Sequence, residues 1–397
     1  MSIVDGLHFK RAVNHISVHS DTDIFPNPIE KYLFFDQETK ITDILTAMSA
    51  KMNKMGTRET AAFIRENFHS DSIISPSGFT GFRLATQIDQ IWNAYLLGLV
   101  LSIGASIESR RISTSKEVVF SYRFDGSHEK NIFNRDIGWR QFQEKSLEYA
   151  SNTDSYSHVV SCDISDFYAR IYHHSLENEL LRACGDTAIV KQIIVILTAW
   201  SKGASYGLPV GGDAARLLAE AMISPLDSTL LSAGFTYCRF VDDFRIFAKS
   251  REEAQAAWVY LSEKLLKTEG LQLQKYKTII ETTQGFKNRV TTMMGPPIGS
   301  GEAGEESAKE AAFLAIHVHY DPYSSTAEED YETLSKEIQK HDVLGLINSQ
   351  LNRSRVDQSL FKKLLKAIKF LPVSKQHMLC ISLLRSPEPL YPIFNIV

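Results

Sequence analysis

The sequence reads as an α+β protein: a helical first lobe, a small sheet in the middle and a helical tail. Three observations carry that reading. Apolar residues recur at helical spacing through most of the first lobe, and short apolar-aromatic runs bearing single acids crowd the middle. The last stretch, about 90 residues, sets Leu and Ile three or four apart.

Taken in order, residues 1–40 are mixed, with Pro26 and Pro28 interrupting any regular element. Helical spacing runs from Ile41 to Phe68, with Thr42 as N-cap. Ser75–Phe79 (SPSGF) reads as a loop, and helical periodicity resumes from Leu84 to Ser106. Val118–Phe124 alternates like a strand, and a helix follows over Gly138–Ala150. The apolar run His158–Cys162 ends in Asp163 and leads into a helix-like segment. Ala188–Trp200 is a buried helix, and the glycine-rich turn Gly207–Gly212 feeds another from Asp213. Phe235–Ser250 holds two apolar-aromatic runs around Val241-Asp242-Asp243, a hairpin signal. Arg251–Glu269 is helical, Gly295–Ser307 is a linker, and short Leu-rich helices such as Leu360–Phe370 and Met378–Leu384 fill the rest.

At 397 residues the chain should divide into two or three lobes. Its 44% apolar and 23% charged residues are ordinary for a globular protein and exclude a disordered tail, a collagen-like fibre and a coiled-coil rod. Net charge is −4, so nucleic acid would have to be held in a local groove rather than by a global basic field. Cys162, Cys184, Cys238 and Cys380 show no paired spacing, which points to reduced thiols in a cytoplasmic protein. No basic start precedes an apolar run, so no signal peptide is expected. The uncharged stretch after Gln90 carries Asn93, Ser102 and Gly104 and reads as a buried helix, with no membrane partner.

The chemistry is concentrated in the middle. Adjacent carboxylates at Asp242 and Asp243 repel by ~4 kcal/mol at 4 Å and an effective dielectric near 20. A hard divalent cation would resolve that repulsion, although a solvated Asp-rich turn fits the hairpin equally well when it is taken alone. Asp163 ends a buried strand, where an unpaired acid is costly. If that strand lies beside the hairpin, three carboxylates from two distant segments converge as a two-metal phosphoryl-transfer site requires. Glycines before the helix of Ala214–Met222 would allow close backbone approach to a phosphate.

In order and spacing, Asp163-x-x-Asp166-Phe167-Tyr168, then Gly207-Leu208-Pro209-Val210-Gly211, then Phe240-Val241-Asp242-Asp243 resemble motifs A, B and C of reverse transcriptases. Gly270–Thr278 looks like motif D, and the resemblance covers Ile73–Met294. It implies a right-hand polymerase with N-terminal extension 1–40, fingers 41–157, palm 158–298 and an all-helical, thumb-like or repeat C-terminal domain 299–397. The activity implied is RNA-directed DNA polymerase, adding dNTPs to a DNA 3′ end with two Mg²⁺ ions, or Mn²⁺ in their place. Partners implied are an RNA or DNA template or product strand, a non-coding RNA, and a second copy or partner protein.

By the same resemblance Asp163, Asp242, Asp243 and the carbonyl of Ile164 would bind metal, and Lys277, with Lys275 as fallback, would protonate pyrophosphate. Ser165, Asp166, Phe167, Gly211 and Arg123 would hold the nucleotide, with Arg83 a weaker candidate, and Tyr168 would be the steric gate against a ribose 2′-hydroxyl. Val210 and Phe240 stand where retroviral, retron and group II intron enzymes carry Gln and Tyr. With Ala214–Glu220 they are similar to the bacterial unknown-group and abortive-infection reverse transcriptases, which defend against phage. Untemplated or protein-primed synthesis then enters, although none of Tyr320, Tyr331 and Tyr391 stands out as a primer. The alternatives are a non-catalytic nucleic-acid-binding scaffold that keeps the palm, and a retron or intron-type enzyme.

His173-His174 and His317-x-His319 lack a second pair at zinc spacing and read as core or surface histidines. The basic run Lys362–Lys369 reads as a solvated face, with a nucleic-acid groove as the other possibility.

Overall fold

In the computed structural model of the chain, helix α1 (Gly6–His19) turns Phe9, Ala12, Val13, His15 and Ile16 inward, the stripe of an amphipathic helix. Residues 4, 6–21, 28–77, 81–128, 131–294, 309, 310, 312–314, 316, 327–351 and 358–385 are described. Pro26, the linker Gly295–Ser307, His317, His319, Tyr320 and Tyr391 lie outside them. The chain forms two compact units, Met1–Ser72 with Thr86–Phe286, and Ile73–Ala85 with Lys287–Val397. The sequence separated 1–40, fingers and palm at 40, 157 and 298; the first unit takes in 1–40 and most of the expected fingers and palm, while Ile73–Ala85 and the palm residues after Phe286 fall in the second.

Helices α2 (Pro28–Asp36), α3 (Glu38–Lys54) and α4 (Thr57–Asn67) follow α1. The single helix expected over Ile41–Phe68 is therefore two, broken at Gly56. Gln37, not Thr42, occupies the N-cap, and the Thr42 hydroxyl sits inside the helix. Strands β1 (Ser70–Ser77) and β2 (Gly81–Ile88) form a two-stranded sheet. Ser75–Ser77, expected as loop, belongs to β1, and residues 78–80 are outside the described set.

Helix α5 (Gln90–Arg110) begins later than the expected Leu84 because the Asp89 carboxylate caps the amides of Ile91 and Trp92. By length and composition α5 could cross a bilayer, yet 78% of its apolar window is buried inside the protein. It receives α1 at Gly98, and Phe9 stacks on Tyr95 with ring centroids 5.2 Å apart.

Val118–Phe124 is not a regular strand. Val119 makes one parallel bridge to Arg239, with Phe120 N donating to Arg239 O and Arg239 N to Val118 O. Helix α6 (Trp139–Ser151) matches the expected segment and leads to β3 (His158–Asp163). Short α7 (Phe167–Arg170), α8 (His173–Cys184) and α9 (Thr187–Trp200) precede α10 (Asp213–Ser232), which starts where the sequence placed it. Strands β4 (Thr236–Phe240) and β5 (Asp243–Ala248) form the expected hairpin. Helix α11 (Arg251–Lys264) ends in a wider turn through Glu269, and β6 (Ile279–Thr282) runs into α12 (Thr283–Met294).

The central sheet has the order β4-β5-β3-β6, antiparallel throughout. Because side chains alternate along a strand, Arg239, Phe244 and Cys162 share one face, while Phe240, Asp243 and Asp163 share the other. The first of these faces is tied to α10 by Arg239, which is fully buried and ion-paired to Glu220 and Asp227.

The second unit contains helices α13 (Ala327–Ile338), α14 (Val343–Leu351), α15 (Gln358–Ile368) and α16 (Val373–Arg385). Its own core is built from side chains such as Ile338, Ile347, Phe361, Leu364 and Leu379. Tyr331 donates its hydroxyl to the carbonyl of Lys369.

Candidate active site

Antiparallel register brings the acids together. Asp163, the last residue of β3, pairs with Asp243, the first residue of β5. Pairing of Phe240 with Asp243 leaves Val241 and Asp242 as a two-residue turn. Ile164 N donates to Asp242 O at 3.2 Å, fixing that turn beside the end of β3. Val241 has φ 56°, a conformation that strains a β-branched residue. The Arg239 guanidinium holds it there, donating to Val241 O at 2.7 Å.

The charges are unbalanced. Burial, and then the neighbouring Asp163 and Asp243, push the Asp242 carboxyl well above the usual carboxylate range, and Asp242 lies within hydrogen-bonding reach of Asp163. Burial and Asp163 push Asp243 up to about 6, against the opposing pull of Arg245 and Lys277. Lys277 donates to the Asp163 carboxylate. Burial disfavours its ammonium, but Asp163, with Asp243 and Asp242 behind it, raises its pKa overall.

Among the described residues, no group of three or more His, Cys, Asp or Glu side chains is placed to hold a metal ion. Lys277 is the cation that Asp163 meets instead. The donor set nonetheless has the chemistry of a hard-cation site: carboxylate oxygens only, largely withdrawn from water, with two members held above their ordinary pKa by burial and then by crowding.

Gln274 N donates to Asp163 O at 2.7 Å and Ser165 N to Gln272 O at 2.8 Å, flanking an Ile164–Leu273 bridge. The Ser165 amide is thus engaged by Gln272 and is not the free donor to a triphosphate that motif A suggested, whereas the Ile164 carbonyl takes no part in these two bonds. Asp166, at φ 50°, starts α7. Tyr168 is half-buried, its ring centroid 5.6 Å from that of Phe167. Burial, with Tyr122, Glu220 and Asp242 nearby, raises its hydroxyl pKa against the effect of Arg216. The turn before α10 carries Gly207 at φ 101° and Gly211 at φ 98°, values that favour glycine.

Arg123 is placed otherwise than expected. It is 3% exposed, pairs with Glu108 and donates to Ile112 O at 2.9 Å, so it braces the interior rather than reaching outward. Burial, and then Arg111, lower its pKa to about 10 against the pull of Glu108 and Glu220. The Arg83 side chain lies outside the described residues. Phe240 packs into an aromatic cluster, 5.2 Å from Trp139 and 6.0 Å from both Tyr122 and Phe142 between ring centroids.

Sequence reading missed the buried frame behind the acids. Glu220 accepts from Arg111 at 2.6 Å, Ser121 at 2.5 Å and Arg239 at 2.9 Å, while Asp227 accepts from Arg239 at 2.6 Å and Tyr237 at 3.0 Å. A charged residue inside each of two very apolar segments was the available signal. In a second buried cluster, His15 Nε2 lies 2.5 Å from Asp213 Oδ2 at the start of α10, and Arg216 pairs with the same carboxylate.

Residues 112–318, a little over half of the chain, match the family described as reverse transcriptase (RNA-dependent DNA polymerase). The chain belongs to the reverse transcriptase family. Among solved structures, this reverse transcriptase is similar to telomerase from Candida albicans in complex with a TWJ fragment of telomeric RNA, at TM-score 0.41 and 11% identity over 92% of this chain and 62% of that one. It is also similar to apo telomerase from Candida tropicalis, at TM-score 0.40 and 9% identity over 98% and 81%. This reverse transcriptase therefore spans less than two thirds of the C. albicans chain. A comparison with curated proteins gave no match.

Proposed function

We propose that the chain is an RNA-directed DNA polymerase that adds dNTPs to a DNA 3′ end. The observation that carries this is the register of β3 on β5, which sets Asp163 against Asp243 with Asp242 in the adjoining turn. Asp163, Asp242, Asp243 and the Ile164 carbonyl would hold two divalent cations, Mg²⁺ or Mn²⁺. Bound there, such cations lower the pKa of the attacking 3′-hydroxyl and neutralise charge on the triphosphate. Lys277, kept protonated by Asp163, would give its proton to the leaving pyrophosphate. The Asp166 and Phe167 backbone and Gly211 would line the nucleotide, and the Tyr168 ring would exclude a ribose 2′-hydroxyl.

The finer reading is a cytoplasmic enzyme of bacterial antiphage defence that works with an RNA or DNA strand and a non-coding RNA, as an oligomer or with a partner protein. Its support is the spelling Gly-Leu-Pro-Val-Gly and Phe-Val-Asp-Asp, together with the helical second unit. The test is incorporation of labelled dNTPs with supplied RNA and DNA templates and with none, comparing wild type with Asp242→Ala/Asp243→Ala. Wild type should label product in the presence of Mg²⁺ and the double variant should not; equal labelling by the two rejects the proposal.

A further inference from the structure

A short ladder joins the segment after the first acid to the glycine turn. Gly207 N donates to Ile171 O, Leu208 N to Tyr168 O and His173 N to Ser205 O, each at 2.8 Å, and Tyr172 bridges to Tyr206. The ring of His173 closes this ladder. It is 3% exposed, and its Nε2–H donates to Gly207 O at 2.7 Å. That bond fixes the neutral tautomer with the proton on Nε2, because the buried Nδ1 has no partner among the described residues and a second proton there would be unsatisfied. On the other side, a Cβ added at Gly207 would lie 3.0 Å from the indole of Trp200. Imidazole and indole thus grip a peptide whose φ of 101° favours glycine.

We propose that His173 is a positioning residue for nucleotide selection: through Gly207 and Leu208 it fixes the backbone of Tyr168, and so the wall that meets the incoming sugar. This rests on the polymerase reading above and adds a residue to it. A buried side chain that merely filled volume would need no N–H; here the N–H orients one particular carbonyl, one residue from the amide that holds Tyr168. His174, next in the sequence, is exposed and lies 3.8 Å from Glu177, with no part in the ladder.

The test compares His173→Gln, whose side-chain amide can donate where Nε2 does, with His173→Met, which fills the space without a donor. Hydrogen–deuterium exchange at the Gly207 and Leu208 amides reads the clamp without any activity. Exchange should be roughly tenfold faster in His173→Met and near wild type in His173→Gln, at similar thermal unfolding midpoints. In the polymerase assay His173→Met should raise the dNTP KM and lower deoxy-over-ribo selectivity, each roughly tenfold, with kcat little changed, and His173→Gln should restore both. Wild-type exchange rates in His173→Met, or an active His173→Met with unaltered KM and selectivity, would overturn the assignment. If wild type incorporates nothing, the polymerase reading falls and exchange alone decides the clamp. If His173→Met does not fold, exchange in His173→Gln decides: rates near wild type uphold the donor role, and fast rates reject it.

Discussion

Asp163 and Asp243 face each other as directly paired residues across two antiparallel strands. Like charges in that relationship destabilise a sheet, and Asp242, in the adjoining turn, adds a third. The fold tolerates the arrangement through Lys277 on Asp163, Arg245 near Asp243 and partial protonation of the two hairpin acids. Each of these compensations can be removed experimentally.

The first prediction concerns pH. Asp243 titrates at about 6 in the folded protein against an ordinary value near 3.8. The native state therefore holds a proton that the unfolded chain releases, and stability falls as pH rises from about 4 through 6. Asp243→Asn removes that dependence. In EDTA at pH 8 the variant should be more stable than wild type by about 1–2 kcal/mol after screening, and the advantage should vanish at pH 4. Thermal melts at the two pH values check this, and added Mg²⁺ should narrow the pH 8 gap by stabilising wild type selectively.

Lys277 separates pairing from proton donation. Lys277→Arg keeps a cation on Asp163 but cannot give up its proton at neutral pH, so metal-free stability should hold while kcat falls by about 10²-fold. Lys277→Met should lose both. Single-turnover incorporation beside melts in EDTA distinguishes the cases, and an Arg variant with full kcat would remove the proton-donor role.

Arg239 carries the hairpin from behind. Replacing it with Met leaves Glu220 and Asp227 buried without its charge and releases the Val241 carbonyl, so a loss of about 3–5 kcal/mol is expected. Lys at this position should recover little, because one ammonium cannot reproduce five donors in a fixed fork. Denaturant midpoints of the two variants measure the difference.

The parts of this architecture that were legible in the sequence share one property: their cause is local. Asp242 sits in a two-residue turn with Val241, and Asp243 opens the next strand, between runs whose aromatic content announces them, and α10 begins at a glycine turn. What failed depended on partners far along the chain. Arg123 looked like an outward-facing strand residue because nothing near it reveals Glu108, its partner on α5. Arg239 and Glu220 were invisible as a pair, since the spacing between a strand and a helix carries no periodic signal. The Leu84–Ser106 stretch read as one helix because a short apolar run has no period of its own, and only the Asp89 cap divides strand from helix.

Gly98 supplies a prediction whose sign is diagnostic. In an exposed helix, Gly→Ala stabilises by about 1 kcal/mol, because alanine restricts the unfolded chain. At Gly98, in the middle of α5, an added Cβ would lie 2.3 Å from Cδ1 and 2.7 Å from Cε1 of Phe9. That ring cannot swing away freely, being fully buried and stacked on Tyr95. Gly98→Ala should therefore destabilise by about 1–3 kcal/mol, reversing the usual sign. Phe9→Leu in the same chain should recover part of the loss, and a double-mutant cycle should show coupling of at least about 0.5 kcal/mol. A Gly98→Ala protein that melts above wild type would mean that α1 does not pack on α5 in solution. His15, which α1 carries to Asp213 at the head of α10, would then lose its seat as well.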